Sequence, residues 1–238
     1  MTLQKVDTGI KELNEMLDGG LPQNRVILLS GSSGTGKTTL GIQFIYNGIK
    51  NFNEPGVFIT LEQSKEKIKE DMKSVGINIE ELSSFNLIGG SIAEVMHFKD
   101  KTRAKVNDFL AEIEEIIKQT KAKRVVLDSL NLFLMLFKTD EERRIALLSL
   151  CQILSKNSCT ALLICDTKEN TFDLSWYGFE EFVVDGIITL YSIRQGQAFR
   201  KGITIRKMRG VNHSESIHTY KITNKGIKIC TEESWPDT

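Results

Sequence analysis

The stretch Gly31–Thr38, Gly-Ser-Ser-Gly-Thr-Gly-Lys-Thr, constrains the fold of this chain more than any other segment. It follows the apolar residues Val26–Leu29 and leads into Thr39–Ile45, which gives the order strand, glycine-rich turn, helix. The spacing G-x-x-x-x-G-K-T is that of a P-loop, in which glycines let the backbone curl until successive N–H groups face phosphate oxygens. The positive end of the following helix dipole adds to this attraction. The sequence therefore predicts a nucleotide site.

The residues of the P-loop have distinct expected roles. We expect Lys37 to reach the β- and γ-phosphates of ATP and the Thr38 hydroxyl to bind Mg²⁺. The apolar strand 123–127 ends in Asp128, and a carboxylate at this edge of a parallel sheet can complete the Mg²⁺ shell, as in a Walker B element. ATP and Mg²⁺ are thus the predicted cofactors. The loop residues predicted to bind the nucleotide are Ser33, Gly34, Thr35, Gly36, Lys37, Thr38 and Thr39.

Composition and charge narrow the class of protein. The 238 residues carry 31 basic and 31 acidic side chains, so no global charge attracts nucleic acid or acidic lipid. The longest apolar run, Leu130–Phe137, is far shorter than the ~20 residues that span a bilayer. The N-terminus lacks the apolar region of a secretory signal, and the four cysteines lack metal-ligand spacing. We expect a cytoplasmic protein with no membrane partner.

The order of apolar patterns predicts an α/β fold. After an N-terminal segment, 1–24, strands and helices alternate to about residue 190. From about 195 to 238 short strands follow one another. This order predicts a mostly parallel central sheet flanked by helices, with a small antiparallel β extension at the C-terminal end. The whole chain, 1–238, is expected to form a single domain, and its polar stretch 89–104 fits neither pattern.

Two further segments carry candidate catalytic side chains. Glu62 follows the apolar strand 56–61 and could orient or deprotonate the attacking water, or it could be an ordinary surface carboxylate. Lys207 and Arg209 alternate, so a strand would present both on one face, which by itself could be a solvated basic face. The apolar run 130–137 could pack in the core or form a subunit contact, and the sequence favours neither.

Together these segments resemble the RecA superfamily and, within it, the KaiC-like ATPases. The matching segments cover nearly the whole chain and comprise Thr8–Pro22 before the P-loop, Val57–Glu62, Leu127–Ser129, Tyr177–Asp185 and Lys207–His213. The resemblance implies a RecA-like P-loop NTPase core that binds and hydrolyses ATP, with Glu62 as the catalytic glutamate. It also implies that Lys207, Arg209 and His213, in a K-x-R-G-x-x-H segment, reach the nucleotide of a neighbouring subunit.

A residue that acts on a neighbour's nucleotide requires head-to-tail contacts, which close into a ring or continue as a filament. The resemblance favours a hexameric ring, a homo-oligomer with nucleotide at its subunit interfaces that acts in signalling or regulation with a protein partner. The alternative is a RecA- or RadA-like recombinase or helicase that binds DNA, against which the neutral net charge counts mildly. A third reading is a scaffold that exchanges partners with its nucleotide state and turns over very slowly.

Three departures from the KaiC-like pattern limit what the resemblance implies. Glu62 is followed by Gln63, where the family often has a second acid. The chain has room for one ATPase module, where the clock protein has two. The neighbouring Ser/Thr pair that the clock protein phosphorylates has no counterpart, since the polar stretch 168–175 holds only Thr171 and Ser175. The resemblance therefore supports an ATPase and does not support timekeeping.

Overall fold

A computed structural model describes residues 3–89, 104–168 and 173–234; most of the stretch 89–104 lies outside this range, as does Thr171. The strands are β1 (Lys5–Val6), β2 (Leu21–Pro22), β3 (Val26–Gly31), β4 (Gly56–Thr60), β5 (Phe85–Gly89), β6 (Arg124–Asp128), β7 (Thr160–Asp166), β8 (Gly186–Gln195), β9 (Ala198–Met208), β10 (His218–Thr223) and β11 (Gly226–Ser234). The helices are α1 (Lys11–Met16), α2 (Lys37–Phe52), α3 (Lys65–Ser74), α4 (Ala104–Thr120), α5 (Leu130–Leu134), α6 (Asp140–Lys156) and α7 (Glu180–Val183), with a 3-10 turn at Ile79–Glu81. In the described part of the chain, no helix combines the length and apolar character needed to cross a membrane.

Nine strands form one mixed sheet in the order β11-β10-β9-β8-β3-β7-β6-β4-β5. From β8 to β5 every neighbouring pair is parallel. From β8 to β11 every pair is antiparallel. The predicted sheet, mostly parallel with an antiparallel C-terminal extension, is therefore confirmed. Strands β1 and β2 pair with each other in a separate small sheet.

Helices cover both faces of the parallel strands. Because both faces are buried, the sequences of these strands are continuously apolar. Every residue of β3, β4 and β6 is buried. On one face, α1, α2 and α3 pack in an apolar cluster that includes Ile27 and Leu29 of β3. On the other face, α4, α5 and α6 pack in a second cluster that includes Val26 and Leu28. The alternation along β3 thus divides the core between two layers.

The register of the parallel strands brings their carboxyl ends together. Gly31 of β3 pairs with Asp166 of β7, Asp128 of β6 pairs with Ile164 of β7, and Thr60 of β4 pairs with Asp128. Helix α2 begins a few residues after β3 ends. The P-loop and the residues that end or follow β4, β6 and β7 therefore share one edge of the sheet, where ligands of open α/β sheets bind.

The apolar run 130–137 contributes mainly to the core. Leu130, Phe133 and Leu134 of α5 are buried, and the Phe133 ring stacks on Phe109 with 5.6 Å between ring centroids. Met135, the next residue, has 54% of its surface exposed. Core packing is therefore confirmed for the buried residues, and a subunit contact stays a prediction for the exposed part of the run.

Arg124 ties the sheet to α2. Its side chain is only 1% exposed, its Nε donates to Glu54 Oε2 at 2.7 Å, and its Nη1 donates to the Phe44 carbonyl at 2.8 Å. The guanidinium also lies 4.6 Å from the centroid of the Phe44 ring. Burial lowers the pKa of Arg124, and Glu54 opposes that shift. Because α2 begins at the P-loop and β6 ends at Asp128, the contacts of the buried Arg124 with Phe44 hold these two elements of the site in fixed relation.

We predict that Arg124→Met lowers the free energy of unfolding by about 2 kcal/mol, because the Phe44 carbonyl loses a buried donor and the partly exposed Glu54 carboxylate loses its partner. Urea unfolding followed by circular dichroism measures the change. Lys123→Met is the matched control, since it removes one positive charge from the adjacent, exposed position and should change stability by less than ~0.5 kcal/mol. Equal midpoints for the two variants would contradict the structural role of Arg124.

Candidate functional site

The P-loop connects β3 to α2 and turns at two glycines in the left-handed region. Gly34 has φ +72° and Gly36 has φ +89°. A Cβ built on Gly34 would meet no described atom within 4 Å, so the space in front of the loop is open to a ligand. Inside the turn, Thr35 Oγ1 donates to the Ser32 carbonyl at 2.8 Å. The loop residues predicted to bind phosphate are thus gathered at the start of α2, with Ser33 exposed and Thr39 buried.

Lys37 is buried, and its ammonium contacts three acceptors. Its Nζ donates to the Gly31 carbonyl at 2.8 Å and to the Ser32 carbonyl at 2.9 Å. Asp166 Oδ1 lies 2.9 Å from the same nitrogen. Asp166 is not among the site residues predicted from the sequence. A signal was present, since the apolar strand 160–165 ends in this aspartate in the same way that β6 ends in Asp128.

Asp128 and Thr38 form the second part of the site. Thr38 Oγ1 donates to Asp128 Oδ2 at 2.7 Å, and Asp128 is only 4% exposed. Burial raises the pKa of Asp128 to about 7, the Thr38 hydroxyl opposes the shift, and the nearby Glu62 carboxylate adds to it. The Ser129 hydroxyl oxygen, next in the chain, is buried without a hydrogen-bond partner among the described residues.

These oxygens fit Mg²⁺ that is bound to a nucleotide. Mg²⁺ takes oxygen ligands and usually accepts one or two from the protein, with phosphates and water completing the shell. A cation beside Asp128 would favour the ionised carboxylate that burial disfavours. In the described part of the chain, no group of three or more His, Cys, Asp or Glu side chains could hold a metal ion. A metal bound by Thr38 and Asp128 would therefore need the phosphate oxygens as well.

Glu62 lies at the same edge of the sheet, two residues beyond the end of β4. Thr60 pairs with Asp128, and Thr60 Oγ1 accepts hydrogen bonds from the backbone N–H of Glu62 at 3.3 Å and of Gln63 at 3.1 Å. The backbone N–H of Leu61 donates to the Asp128 carbonyl at 2.6 Å. These bonds fix the turn that carries Glu62 beside Asp128, and the Glu62 side chain is exposed to solvent.

The predicted residues of the K-x-R-G-x-x-H segment lie away from this P-loop. Met208, in the middle of the Lys-x-Arg pattern, pairs with Gly186, and Gly186 pairs with Ile27 near the start of β3. The P-loop begins four residues later, at Gly31, and a strand rises by about 3.3 Å per residue. The pattern therefore lies at the opposite, amino edge of the sheet, roughly 13 Å from Gly31 along β3.

At that edge, the side chains of Lys207 and Arg209 both contact the segment 181–185, although β9 ends at Met208 and Arg209 lies beyond it. Lys207 Nζ donates to two backbone carbonyls in the segment 181–184, at 2.8 and 2.7 Å. Arg209 Nη1 lies 3.6 Å from Asp185 Oδ1, and its side chain is 53% exposed. Burial lowers the pKa of Lys207, and the Arg209 charge lowers it further. His213 lies in the following loop, with Nδ1 3.2 Å from the carbonyl of its neighbour Ser214.

The C-terminal extension contacts the P-loop through two side chains that the sequence analysis missed. Lys201 of β9 donates to the Gly34 carbonyl, and the Tyr220 hydroxyl of β10 donates to the Thr35 carbonyl. Tyr220 is buried, and burial together with the Lys37 charge lowers the pKa of Lys201. These partners are 167 and 185 residues apart in sequence, and no spacing marks them. The extension therefore holds the loop backbone in place, and it also packs against α2, where the Ile227 N–H donates to Gln43 Oε1 at 2.7 Å.

Comparison with known proteins agrees with this arrangement. The sequence profile of the family described as "ATPase: KaiC" matches residues 6–234. The chain belongs to the KaiC family of ATPases. The solved structure of a KaiC-like protein from the hyperthermophilic archaeon Pyrococcus horikoshii superposes with a TM-score of 0.83 at 31% identity, covering 96% of this chain and 99% of that one. The predicted KaiC-like family and RecA-like fold are both confirmed.

Relatives of two lengths match this KaiC-family chain. A UPF0273 protein of Thermotoga maritima is 33% identical over 240 residues, which is 97% of this chain and 98% of the relative. The circadian clock oscillator protein KaiC of Parathermosynechococcus lividus is 31% identical over 229 residues, which is 95% of this chain and 42% of the relative. The chain thus spans less than half the length of the clock relatives that it matches.

We predict that Tyr220→Phe lowers the free energy of unfolding by about 1 kcal/mol, because the Thr35 carbonyl loses its buried donor while the ring keeps its packing. Urea unfolding of the full chain measures the change. Tyr46→Phe is the matched control, since the one hydrogen bond that the Tyr46 hydroxyl makes with a described residue is an exposed one, accepted from Lys50 at 3.3 Å. This variant should keep stability within ~0.5 kcal/mol of the parent. A Tyr220→Phe variant as stable as this control would refute the support of the loop by Tyr220.

Proposed function

We propose that this KaiC-family chain binds ATP·Mg²⁺ and hydrolyses the γ-phosphate at a site shared by two subunits. The observation that carries the proposal is the placement of the candidate residues at opposite edges of one sheet. Lys37, Asp128 and Glu62 lie at or beyond the carboxyl edge, whereas Lys207 and Arg209 lie at the amino edge. Both sets can act on one phosphate group only if the amino edge of one subunit faces the carboxyl edge of the next.

Within the shared site, each group has a role that its position supports. The backbone N–H groups of 34–38 and the Lys37 ammonium would bind the phosphates, while Thr38 and Asp128 would hold Mg²⁺. The metal, when bound, neutralises charge on the β- and γ-oxygens. Glu62, exposed beside Asp128, would orient the attacking water and accept its proton. This division needs no covalent intermediate, since phosphoryl transfer depends mostly on positioning and charge stabilisation.

Lys207, Arg209 and His213 would contact the nucleotide of the neighbouring subunit. Lys207 and Arg209 both contact the segment 181–185, and the half-exposed Arg209 has only one side-chain carboxylate partner among the described residues, Asp185 at 3.6 Å. The pair is long and its arginine is half-exposed, so it contributes little free energy and Arg209 can exchange Asp185 for a phosphate. An arginine finger stabilises the charge of the transition state and is worth about 10³–10⁵ in rate.

The assembly that we propose is a homo-oligomeric ring, hexameric by analogy with the family, with each nucleotide between two chains. Head-to-tail contacts bury a different patch on each side, and they close when the rotation per subunit divides a full turn. The chain would act as a single domain, in the cytoplasm, in signalling or regulation with a protein partner. The primary test is phosphate release from ATP·Mg²⁺ by the purified chain, with Lys37→Ala as the inactive reference.

We predict that Glu62→Gln keeps nucleotide affinity and loses at least about 100-fold in turnover, because the amide cannot accept the proton of the water. Phosphate release and the binding of labelled ATP are measured on the same preparation. Glu66→Gln is the matched control, an exposed glutamate in the first turn of α3 that should turn over at the parent rate. If Glu62→Gln turns over as fast as Glu66→Gln, Glu62 is not the base.

We predict that subunits of Arg209→Ala and Glu62→Gln, each inactive alone, regain activity when mixed. In a random equal mixture about one interface in four pairs an intact Glu62 with an intact Arg209 from the next chain, in a head-to-tail ring. Turnover of the mixture should therefore approach a quarter of the parent rate. Arg206→Ala is the matched control, since this exposed arginine of β9 lies three residues before Arg209 and its variant should stay active alone.

The mixture also decides whether Arg209 acts on its own subunit. If it did, every active site in the mixture would still carry one defect, and the mixture would stay inactive. Native mass spectrometry establishes whether the two variants have exchanged subunits. An inactive mixture with confirmed exchange would refute the shared site.

A further inference from the structure

Asp166 has no role in the proposed hydrolysis, yet its carboxylate contacts Lys37, the side chain that is proposed to bind the phosphates. Asp166 Oδ1 lies 2.9 Å from Lys37 Nζ, where the lysine side chain is 7% exposed and the aspartate side chain 36% exposed. The same ammonium donates to the carbonyls of Gly31 and Ser32 at 2.8 and 2.9 Å. An ammonium group has three N–H donors, so these three acceptors saturate it.

The backbone that carries Asp166 is held firmly in place. Its N–H donates to Asn131 Oδ1 at 2.8 Å, and its carbonyl accepts from Asn131 Nδ2 at 3.3 Å. Asn131 itself is buried on α5. The next residue, Thr167, donates its N–H to the Gly31 carbonyl at 3.1 Å. Contact between the carboxylate and Lys37 can therefore change only through the side-chain torsions of these two residues.

A phosphate oxygen can reach the Lys37 ammonium only by replacing one of its three acceptors. The Gly31 and Ser32 carbonyls belong to the loop backbone that forms the phosphate cradle, and their positions are fixed by the turn. The Asp166 carboxylate is partly exposed and can rotate towards water. The phosphate must therefore take the place of Asp166, and two anions compete for one buried cation.

The competition should be stronger for a triphosphate than for a diphosphate. Asp166 lies at the end of β7, between β3 and β6, on the side of the P-loop that faces Asp128. Its negative charge acts on Asp128, one of the two groups that would hold a metal between the β- and γ-oxygens. The γ-phosphate adds negative charge on this side, so it meets more of the repulsion from Asp166 than a β-phosphate does.

We propose that Asp166 is a specificity-determining residue that competes with the γ-phosphate for Lys37 and so weakens the binding of ATP relative to ADP. The proposal rests on the proposed function of the P-loop as a nucleotide site. In this proposal the Asp166 carboxylate weakens the binding of the triphosphate to Lys37.

The test compares two probes, the non-hydrolysable analogue adenylyl imidodiphosphate and ADP, each with Mg²⁺, by isothermal titration calorimetry on the full chain. In Asp166→Asn, which keeps the shape and removes the charge, affinity for the analogue should rise about fivefold or more, and affinity for ADP less than about twofold. Asp166→Ser, a second neutral variant, should behave in the same way. Asp166→Glu, which keeps the charge, should keep the parent ratio of the two affinities.

The matched control is Asp18→Asn. Asp18 is 74% exposed, pairs with Lys5 at 3.0 Å, and has a left-handed backbone, φ +52°, that asparagine tolerates. Asp18 lies just before β2, and β2 leads into the amino end of β3, whereas the P-loop follows the carboxyl end of β3. Asp18 is therefore remote from the P-loop. Asp18→Asn removes the same charge from the chain and should leave both affinities unchanged. An equal rise in this control would assign the effect to net charge and overturn the role of Asp166.

Thermal unfolding provides a readout that a purely structural role would not give. Without nucleotide, Asp166→Asn should unfold at a lower temperature than the parent, since the buried Lys37 ammonium loses its counter-charge. With the analogue, its stabilisation should exceed that of the parent. Unchanged or weaker analogue binding by the folded neutral variants would overturn the proposal. A parent chain that binds neither nucleotide would overturn the proposed function with it, whereas tight parent binding with an unchanged ratio would overturn only the role of Asp166.

Discussion

The contacts of the buried Lys37 ammonium are the interaction on which the rest of the site depends. A charge removed from water must be compensated by hydrogen bonds or by an opposite charge, and Lys37 has both, from two carbonyls at the start of the P-loop and from Asp166. Since these partners belong to β3, the loop and β7, the ammonium holds three segments together. An anion that binds Lys37 must replace one of these three partners. Its affinity therefore depends on the free energy of that replacement.

Around this centre, the parallel sheet does most of the positioning. Strands β3, β7, β6 and β4 are neighbours, and helices cover both of their faces, so their carboxyl ends open together at one edge. The same register that brings Asp128 and Glu62 beside the P-loop sends Lys207 and Arg209 to the other edge. The division of the candidate residues between two edges is thus a property of the sheet, and it is the reason that a shared site is proposed.

Strand β9 connects the two edges within one chain. Lys201, near its start, contacts the P-loop of its own subunit, and Lys207 lies six residues further along, roughly 20 Å away at the strand rise. One end of β9 therefore contacts the P-loop of its own subunit. The other end carries the groups that are proposed to act on the nucleotide of the neighbouring subunit. The buried Tyr220, on β10, donates to the same loop, so the antiparallel extension takes part in holding the P-loop backbone.

The sequence by itself determined the P-loop, the strand that ends in Asp128, the α/β order and the KaiC-like family. Each of these depends on short local patterns or on the order in which such patterns follow one another along the chain. Local spacing sets a glycine turn or a buried strand, and no distant contact is needed to read it. The tertiary structure decided the partners of Lys37, the contacts of Lys201 and Tyr220 with the loop, and the burial of Arg124. It also decided which part of the run 130–137 is core, since an apolar pattern does not say what covers it. These features depend on the register between strands that lie far apart in sequence, and that register is set by the packing of the whole sheet against its helices.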